Sequence, residues 1–335
     1  ESAPEGLDKV FLLSTGSEAT ENCIKLARTY GVEKFGKEKH VIVSFKNAFH
    51  GRTMGAQLAG GMDKQKEWIV KTDCGFVQVP FPDGFKNEDT RFELFEESLK
   101  EHGVAPENVA GVISETYQGV GPDFMPVEYA QALRKWCDKH KAVMIMDEVQ
   151  AGFGRCGTFF GFEHYGIVPD LIACGKGISS SLPISAVIGR EEIMNLYAPG
   201  SMTSTHSGSP LPVCAAIENI KIIKEEKLVQ NAADMGKILE EGLNGIQKKY
   251  PEQIGCVHSK GLVGGMQIVK PGSKTPDSET AQKINEGCFH RGLIMFAPVG
   301  IGGECIKIAP PLCIDREVME EGLTVLADVC DAVLS

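Results

Sequence analysis

No segment of this 335-residue chain approaches the roughly 18 to 20 consecutive apolar residues of a membrane span. Residues 1–15 lack the charged-then-apolar layout of a secretion signal, so no membrane partner is expected. Basic runs are missing, as is any interleaving of aromatic with basic residues, and the formal net charge is −11. That balance argues against a nucleic-acid surface and reads as solubility. There are no internal repeats or low-complexity segments. No Gly-x-x-x-x-Gly-Lys-Ser/Thr loop occurs, and no expected strand runs directly into Gly-x-Gly-x-x-Gly. A P-loop enzyme and a nicotinamide dehydrogenase are therefore disfavoured. The 11 cysteines are odd in number and scattered, with no Cys-x-x-Cys pair. Cys23, Cys137, Cys214 and Cys330 fall in apolar or helical stretches. They read as reduced, mostly core residues of a cytoplasmic protein, with no metal site.

A chain of this length can bury one large core or two smaller ones. The 38 glycines, several beside apolar strands, suit an α/β enzyme whose loops pack against a ligand. The chain opens at Glu1 without an initiating methionine and passes at once into the apolar segment 10–13, as if entered partway through a domain. After that strand, Ser14-Thr15-Gly16-Ser17-Glu18 leads into a helix to about Gly36, with Ser17 as N-cap and Glu18 and Glu21 in the first turn. Further strands are expected at 41–45, at 109–115 ending on Glu115, at 142–147 ending on Asp147, at 171–174 and at 185–188. Between them lie a loop or interrupted helix at 51–61 and a helix at 127–140. The alternation predicts an α/β fold, a mostly parallel sheet with helices on both faces. A long helix from 210 to about 250 breaks near Lys227-Leu228. Strands at 255–257, 261–269, 293–296 and 305–308 follow, with helices at 277–291 and from Asp315. This predicts a large cofactor-binding domain over 1–220 and a smaller C-terminal α+β domain over 221–335.

The chemistry centres on Lys176, which lies in Ala173-Cys174-Gly175-Lys176-Gly177, 29 positions after Asp147. An amine in a small-residue loop and a carboxylate at a strand end are the two protein groups a pyridoxal phosphate enzyme needs. The amine forms a Schiff base, and the acid keeps the pyridine nitrogen protonated. Thr15-Gly16-Ser17 has the strand, turn and helix start of a phosphate cradle, and also those of an ordinary helix cap. In Phe49-His50-Gly51-Arg52 the aromatic can lie flat on a heterocycle and Arg52 can grip a carboxylate bidentately; a surface loop with a solvated arginine is the plainer alternative. In Asp147-Glu148-Val149-Gln150, Asp147 can meet the ring nitrogen, Val149 the ring face opposite the aromatic, and Gln150 the phenolic oxygen. A strand end with solvated acids accounts for Glu148 but poorly for the whole tetrad.

Taken together, these segments resemble the class III (ω-amino acid) aminotransferases of the fold type I pyridoxal phosphate enzymes, in the branch of the 4-aminobutyrate, acetylornithine and ornithine aminotransferases. Segments 14–19, 48–53, 147–157, 169–176, 203–210 and 308–312 follow the family pattern in order, and the resemblance spans essentially the whole chain. It implies that Gly16 and Ser17 bind the phosphate, Phe49 stacks on the ring, and Gln150 contacts the phenolic oxygen. It further implies that Lys176 both anchors the cofactor and moves the proton, with Asp147 holding the pyridinium. Thr205 would reach the phosphate of a neighbouring subunit, giving a homodimer or dimer of dimers with shared active sites. The partners implied are a small-molecule amino donor of 4-aminobutyrate type and a 2-oxo acid acceptor; an aminomutase or amino-acid epimerase is the alternative outcome on the same site. Family members carry a further N-terminal lobe ahead of the segment that opens this chain. Arg52, Glu115 and Lys307 are the expected substrate-binding residues. Two departures bear on the acceptor: relatives that use 2-oxoglutarate pair a Glu with an Arg where this chain has Val120 and Lys307. Lysine cannot form the planar two-pronged clamp, so pyruvate is expected to compete well with 2-oxoglutarate.

Overall fold

The computed structural model describes residues 2–72 and 74–335. In chain order the elements are β1 (Lys9–Leu13), α1 (Gly16–Phe35), β2 (Val41–Phe45), α2 (Met54–Ala59), β3 (Phe76–Val79), α3 (Glu93–Glu101) and β4 (Val109–Glu115). Two short strands, β5 (Tyr117–Gln118) and β6 (Asp123–Phe124), precede α4 (Val127–His140), β7 (Val143–Asp147), β8 (Leu171–Cys174), β9 (Ser185–Gly189) and α5 (Glu191–Met194). Then come α6 (Pro210–Glu225), α7 (Leu228–Lys249), β10 (Ile254–Lys260), β11 (Val263–Ile268), α8 (Ser278–His290), β12 (Cys305–Ile308) and α9 (Arg316–Leu334). The chain divides into two compact units. The first is Glu1–Thr116, Met125–Phe153 and Phe160–Ile222; the second is Tyr117–Phe124, Gly154–Phe159 and Ile223–Ser335.

The first unit is built on a seven-stranded sheet in the order β1-β9-β8-β7-β4-β2-β3. β8, β7, β4, β2 and β3 pair in parallel, while β9 pairs antiparallel with both β8 and β1. Only β9 therefore runs against the rest, and the C-terminal ends of β1, β2, β4, β7 and β8 lie along one edge. Both faces are covered. On one, Cys23, Ile24, Leu26 and Ala27 of α1 pack with Ile42, Ile113, Ile145 and Leu171. On the other, Phe45 meets Phe95 of α3 and Tyr129 of α4 at ring separations of 6.5 and 6.4 Å.

The helix cap differs from expectation. Thr15, not Ser17, is the N-cap of α1: its backbone is extended, and its hydroxyl accepts the Glu18 N–H at 3.2 Å. The Glu18 carboxylate accepts the Ser14 and Thr15 amides at 2.8 and 3.1 Å. Thr15 has the glutamate three residues on that a capping box requires, and Ser17 does not; Ser17 is released into the first turn.

In the second unit α7, α8 and α9 pack on the antiparallel sheet β10-β11-β12 around Leu239, Leu243, Met266, Ile284, Ile306 and Leu326. The strand expected at 293–296 is not formed. Leu293 and Met295 pack against the core of this unit, but Ile294 and Phe296 are 79% and 57% exposed, and among the described residues the segment has no ladder partner. Cys214 of α6, expected in a core, is exposed. β3 and α3 were not anticipated. Both are short, and α3 holds its place through Phe95 and Leu99, which are fully buried.

Candidate active site

Parallel strands that end along one edge bring their following loops together there, which is where ligands bind in sheets of this kind. Except for Thr205, in the turn before α6, the elements expected to carry chemistry in the first unit leave strands at that edge. Thr15, Gly16 and Ser17 follow β1, the loop with Phe49, His50 and Arg52 follows β2, and Glu115 ends β4. Asp147 ends β7, and Gly175 and Lys176 follow β8. Glu115 pairs with Asp147, and Asp147 with Ala173, in the ladder register, so the register of three adjacent strands sets the two acids and the lysine loop side by side.

Asp147 is buried, at 5% exposure. One oxygen accepts the Val149 amide at 3.1 Å, and the other accepts His50 Nδ1–H at 2.8 Å. Burial works against a charge on His50. The hydrogen bond and negative charge of Asp147, with Glu115 behind it, outweigh that and raise its pKa above the ordinary histidine value. His50 Nε2 is buried with no partner among the described residues. The sequence shows His50 inside the Phe-His-Gly-Arg tetrad but assigns it no task, because its contact with Asp147 spans 97 positions.

The loop carrying His50 is pinned to α1. Thr20 Oγ1 donates to the His50 carbonyl at 2.7 Å, and Ser17 Oγ accepts the Arg52 amide at 3.2 Å. Glu115 accepts the Phe49 amide at 2.9 Å, so this acid holds the aromatic loop in place. Glu21 does the same for the start of α2, accepting the Gly55 and Ala56 amides at 2.7 and 3.1 Å. Phe49 is half-buried, and the Arg52 guanidinium lies 5.7 Å from its ring centroid.

Two glycines permit a close approach of backbone. A Cβ on Gly16 would stand 2.9 Å from Val149 Cγ1, and one on Gly175 would stand 3.2 Å from that methyl and 3.4 Å from Gly16 Cα. The start of α1, the turn after β7 and the lysine loop thus meet with only hydrogen atoms between them. As first-turn residues, Gly16 and Ser17 have amides without an intrahelical acceptor, and the helix dipole favours negative charge there. Lys176 is exposed and has φ 31°, a left-handed value costly for a residue with a side chain. Asn219 of α6 braces its loop by donating to the Gly177 and Ile178 carbonyls at 2.8 and 3.2 Å.

Glu148 is the opposite of a solvated acid. It is fully buried and accepts the Gly161 and Phe162 amides at 2.7 and 3.0 Å, together with the Thr116 hydroxyl. Burial pushes its carboxyl up to about 7, against the lowering effect of these bonds. Its role is to fold the segment after β7 back onto the strand edge. Val149 and Gln150 are half-buried in the turn it anchors, and Thr205 is exposed in the turn before α6. Lys307 belongs to the second unit, where it is buried. Its amine donates to the Gly119 carbonyl at 2.8 Å and lies 5.4 Å from the Tyr117 ring centroid.

The first unit therefore offers a hydrogen-bonded buried carboxylate, a nearby amine on a strained loop, an aromatic and a valine, and a helix start with free amides. A flat cationic ring bearing a phosphate matches that set of groups. Residues 1–330 match the family described as Aminotransferase class-III. The chain is 33% identical over 327 residues to the acetylornithine aminotransferase of Caldanaerobacter subterraneus, covering 97% of this chain and 76% of that one. It is 34% identical over 330 residues to the probable 4-aminobutyrate aminotransferase of Bacillus subtilis, with 95% and 74% covered. A thermostable (S)-enantioselective omega-transaminase from Thermomicrobium roseum superposes with a TM-score of 0.90 at 29% identity, covering 99% of this chain and 77% of that one. The chain belongs to the class III aminotransferases, and is a pyridoxal phosphate-dependent transaminase.

Proposed function

We propose that this enzyme moves the amino group of an ω-amino acid of 4-aminobutyrate type to a 2-oxo acid, pyruvate or 2-oxoglutarate. The observation that carries the reading is the pairing of Lys176 with Asp147 through adjacent strands, Asp147 being opposite Ala173 three residues before the lysine. Relatives named for related donors support the donor class: a 4-aminobutyrate aminotransferase of Escherichia coli at 32% identity and a 5-aminovalerate aminotransferase of Pseudomonas putida at 32%.

Pyridoxal phosphate, when bound, supplies the electron sink that lets a C–H bond beside the substrate nitrogen ionise. Gly16 and Ser17 would hold its phosphate, Phe49 and Val149 would flank the ring, Gln150 would meet the phenolic oxygen, and Asp147, steadied by His50, would pair with the ring nitrogen. The unpartnered His50 Nε2 and the glycine-lined contact with Val149 suit a bound ring system. Lys176 would be the residue that anchors the cofactor, and its amine would serve as the base that holds and moves the proton at the substrate carbon. Arg52 binds the donor carboxylate. Glu115 acts by keeping the Phe49 loop seated, and Lys307 gives the acceptor at most a single point charge, since its amine is already bonded to Gly119.

The working unit is a homodimer or a dimer of dimers in the cytoplasm, with Thr205 completing the phosphate site of a neighbouring subunit. Leu211 and Ile217 on α6 are 71% and 62% exposed, an apolar surface suited to self-association. Among the described residues no helix is long and apolar enough to cross a membrane.

Reducing the loaded protein with borohydride and mapping the labelled peptide tests the reading. Label on Lys176 is expected, and Lys176→Ala should lose amino transfer by several orders of magnitude. Label on another lysine refutes the assignment. An alanine/serine racemase of Pyrococcus horikoshii, 33% identical over 341 residues, favours a second reading as a racemase. Stoichiometric formation of an aminated acceptor selects transfer; inversion of chirality without an acceptor selects racemisation.

A further inference from the structure

A second group of nucleophilic and titratable side chains lies in the second unit, and amino transfer makes no use of it. Cys256 and His258 stand two residues apart on β10, so both project from the same face of the strand. That face is covered by the 117–124 turn. Gly265, opposite His258 in the ladder, leaves just enough room for it, since a Cβ there would stand 2.6 Å from Pro122 Cγ. The turn delivers Asp123 to the imidazole: His258 Nδ1–H donates to Asp123 Oδ1 at 3.1 Å. On the other side of the ring, Nε2 lies 3.3 Å from Cys256 Sγ. Gln267, opposite Cys256, steadies the same acid by donating to Asp123 Oδ1 at 3.3 Å.

The order acid, imidazole, sulfur is that of an activated thiol, in which the acid fixes the ring orientation and the ring stabilises negative charge on sulfur. The burial gradient fits. Asp123 is 4% exposed and His258 22% exposed, and Cys256 is only half-buried, open to a small reagent. Burial opposes charge on His258. Its hydrogen bonds to Asp123 and Cys256 outweigh that and lift its pKa to about 10, which favours the imidazolium. Other charged or titratable groups on neighbouring strands are engaged elsewhere or buried. Lys260 lies over the Phe124 ring at 5.6 Å, Lys307 is bonded to Gly119, and Cys305, opposite Gln267, is buried.

We propose that Cys256, His258 and Asp123, none of them assigned to the cofactor, form a reactive-thiol site at which Cys256 exchanges with small disulfides. In the step, the Cys256 sulfur attacks one sulfur of R–S–S–R. The new Cys256–S–S–R bond forms as the old S–S bond breaks, and the departing thiolate takes the proton of the His258 imidazolium and leaves as R–SH. Cys256 is oxidised to the disulfide level and one R–S group is reduced to thiol. His258 then regains a proton from water.

The test treats the loaded full chain with 2-hydroxyethyl disulfide at pH 6, 7 and 8 and maps adducts by peptide mass spectrometry against time. Cys74 and Cys313, both exposed, are internal references. An ordinary thiol loses about tenfold in rate for each pH unit below its pKa of about 8.5. The expected result is that Cys256 slows by less than threefold from pH 8 to pH 6 while the references slow severalfold more per unit. At pH 6, Cys256 should therefore be at least about tenfold faster than either reference. His258→Gln should bring Cys256 onto the steep profile of the references, and Asp123→Asn should move it partway. The proposal is overturned if unmodified protein shows Cys256 slowing in step with Cys74 and Cys313, or not reacting, a readout independent of how either variant folds. It is equally overturned if His258→Gln leaves the profile unchanged.

Discussion

Replacing His50 by leucine removes one donor from a buried carboxylate, and the consequences can be worked out from the structure. The His50 and Asp147 side chains are 0% and 4% exposed, and their bond is 2.8 Å long. A hydrogen bond to a charged group contributes about 1.5–3 kcal/mol, and removing one partner of a buried ion pair costs about 3–5 kcal/mol. Two features place this pair near the lower range. Asp147 retains the Val149 amide at 3.1 Å, and leucine no longer buries the unpartnered Nε2. The expected loss is about 2 kcal/mol at pH 6. The pH dependence follows from the raised pKa of His50. A histidine with a raised folded pKa stabilises fully below its unfolded value of about 6.5, and that contribution fades as pH climbs through the folded value. The cost of His50→Leu should therefore be largest at pH 6 and shrink toward pH 9. Urea unfolding followed by tryptophan fluorescence is a suitable assay, since Trp68 and Trp136 are the only tryptophans and both lie in the first unit. A cost below about 0.5 kcal/mol at pH 6, or one that grows toward pH 9, refutes the reasoning. A double-mutant cycle with Asp147→Asn should give a coupling of about 1–3 kcal/mol.

Three further outcomes are expected. Gly51 has φ 134°, and an added Cβ would collide with Ser17, 2.8 Å from its Cβ; Gly51→Ala should cost about 2 kcal/mol or more in the same urea assay and weaken cofactor retention on dialysis. Mixing subunits that carry Thr205→Ala with subunits that carry Lys176→Ala should place the Thr205 defect in the partner's site, whereas full activity of a monomer at high dilution excludes shared sites. With one donor, kcat/KM for pyruvate should stand within about tenfold of that for 2-oxoglutarate, and a preference for 2-oxoglutarate above that, about 1.4 kcal/mol, refutes the reading of Val120 and Lys307.

Where local pattern and composition dominate, the sequence by itself was sufficient. The helix Val127–His140 and the strand Leu171–Cys174 stand at the bounds read from apolar periodicity, because each has a continuous face to bury. The break at Lys227, with its left-handed φ of 53°, was also legible between two helical patterns. The order Gly16-Ser17, Phe49-His50-Gly51-Arg52, Asp147 and Lys176 sufficed to identify the family and its cofactor, since those residue types answer to one cofactor's chemistry.

Partnership across long separations was decided by tertiary structure alone. Glu148 reads as a surface acid because nothing local shows that Gly161 and Phe162 will close over it. His50 meets Asp147 across 97 positions, and His258 meets Asp123 across 135. The run 293–296 has the composition of a strand but, among the described residues, no neighbour to complete its ladder. Periodicity along a chain reports which face a residue turns inward. What it finds there depends on strand order and register, and those are set by how the whole sheet packs.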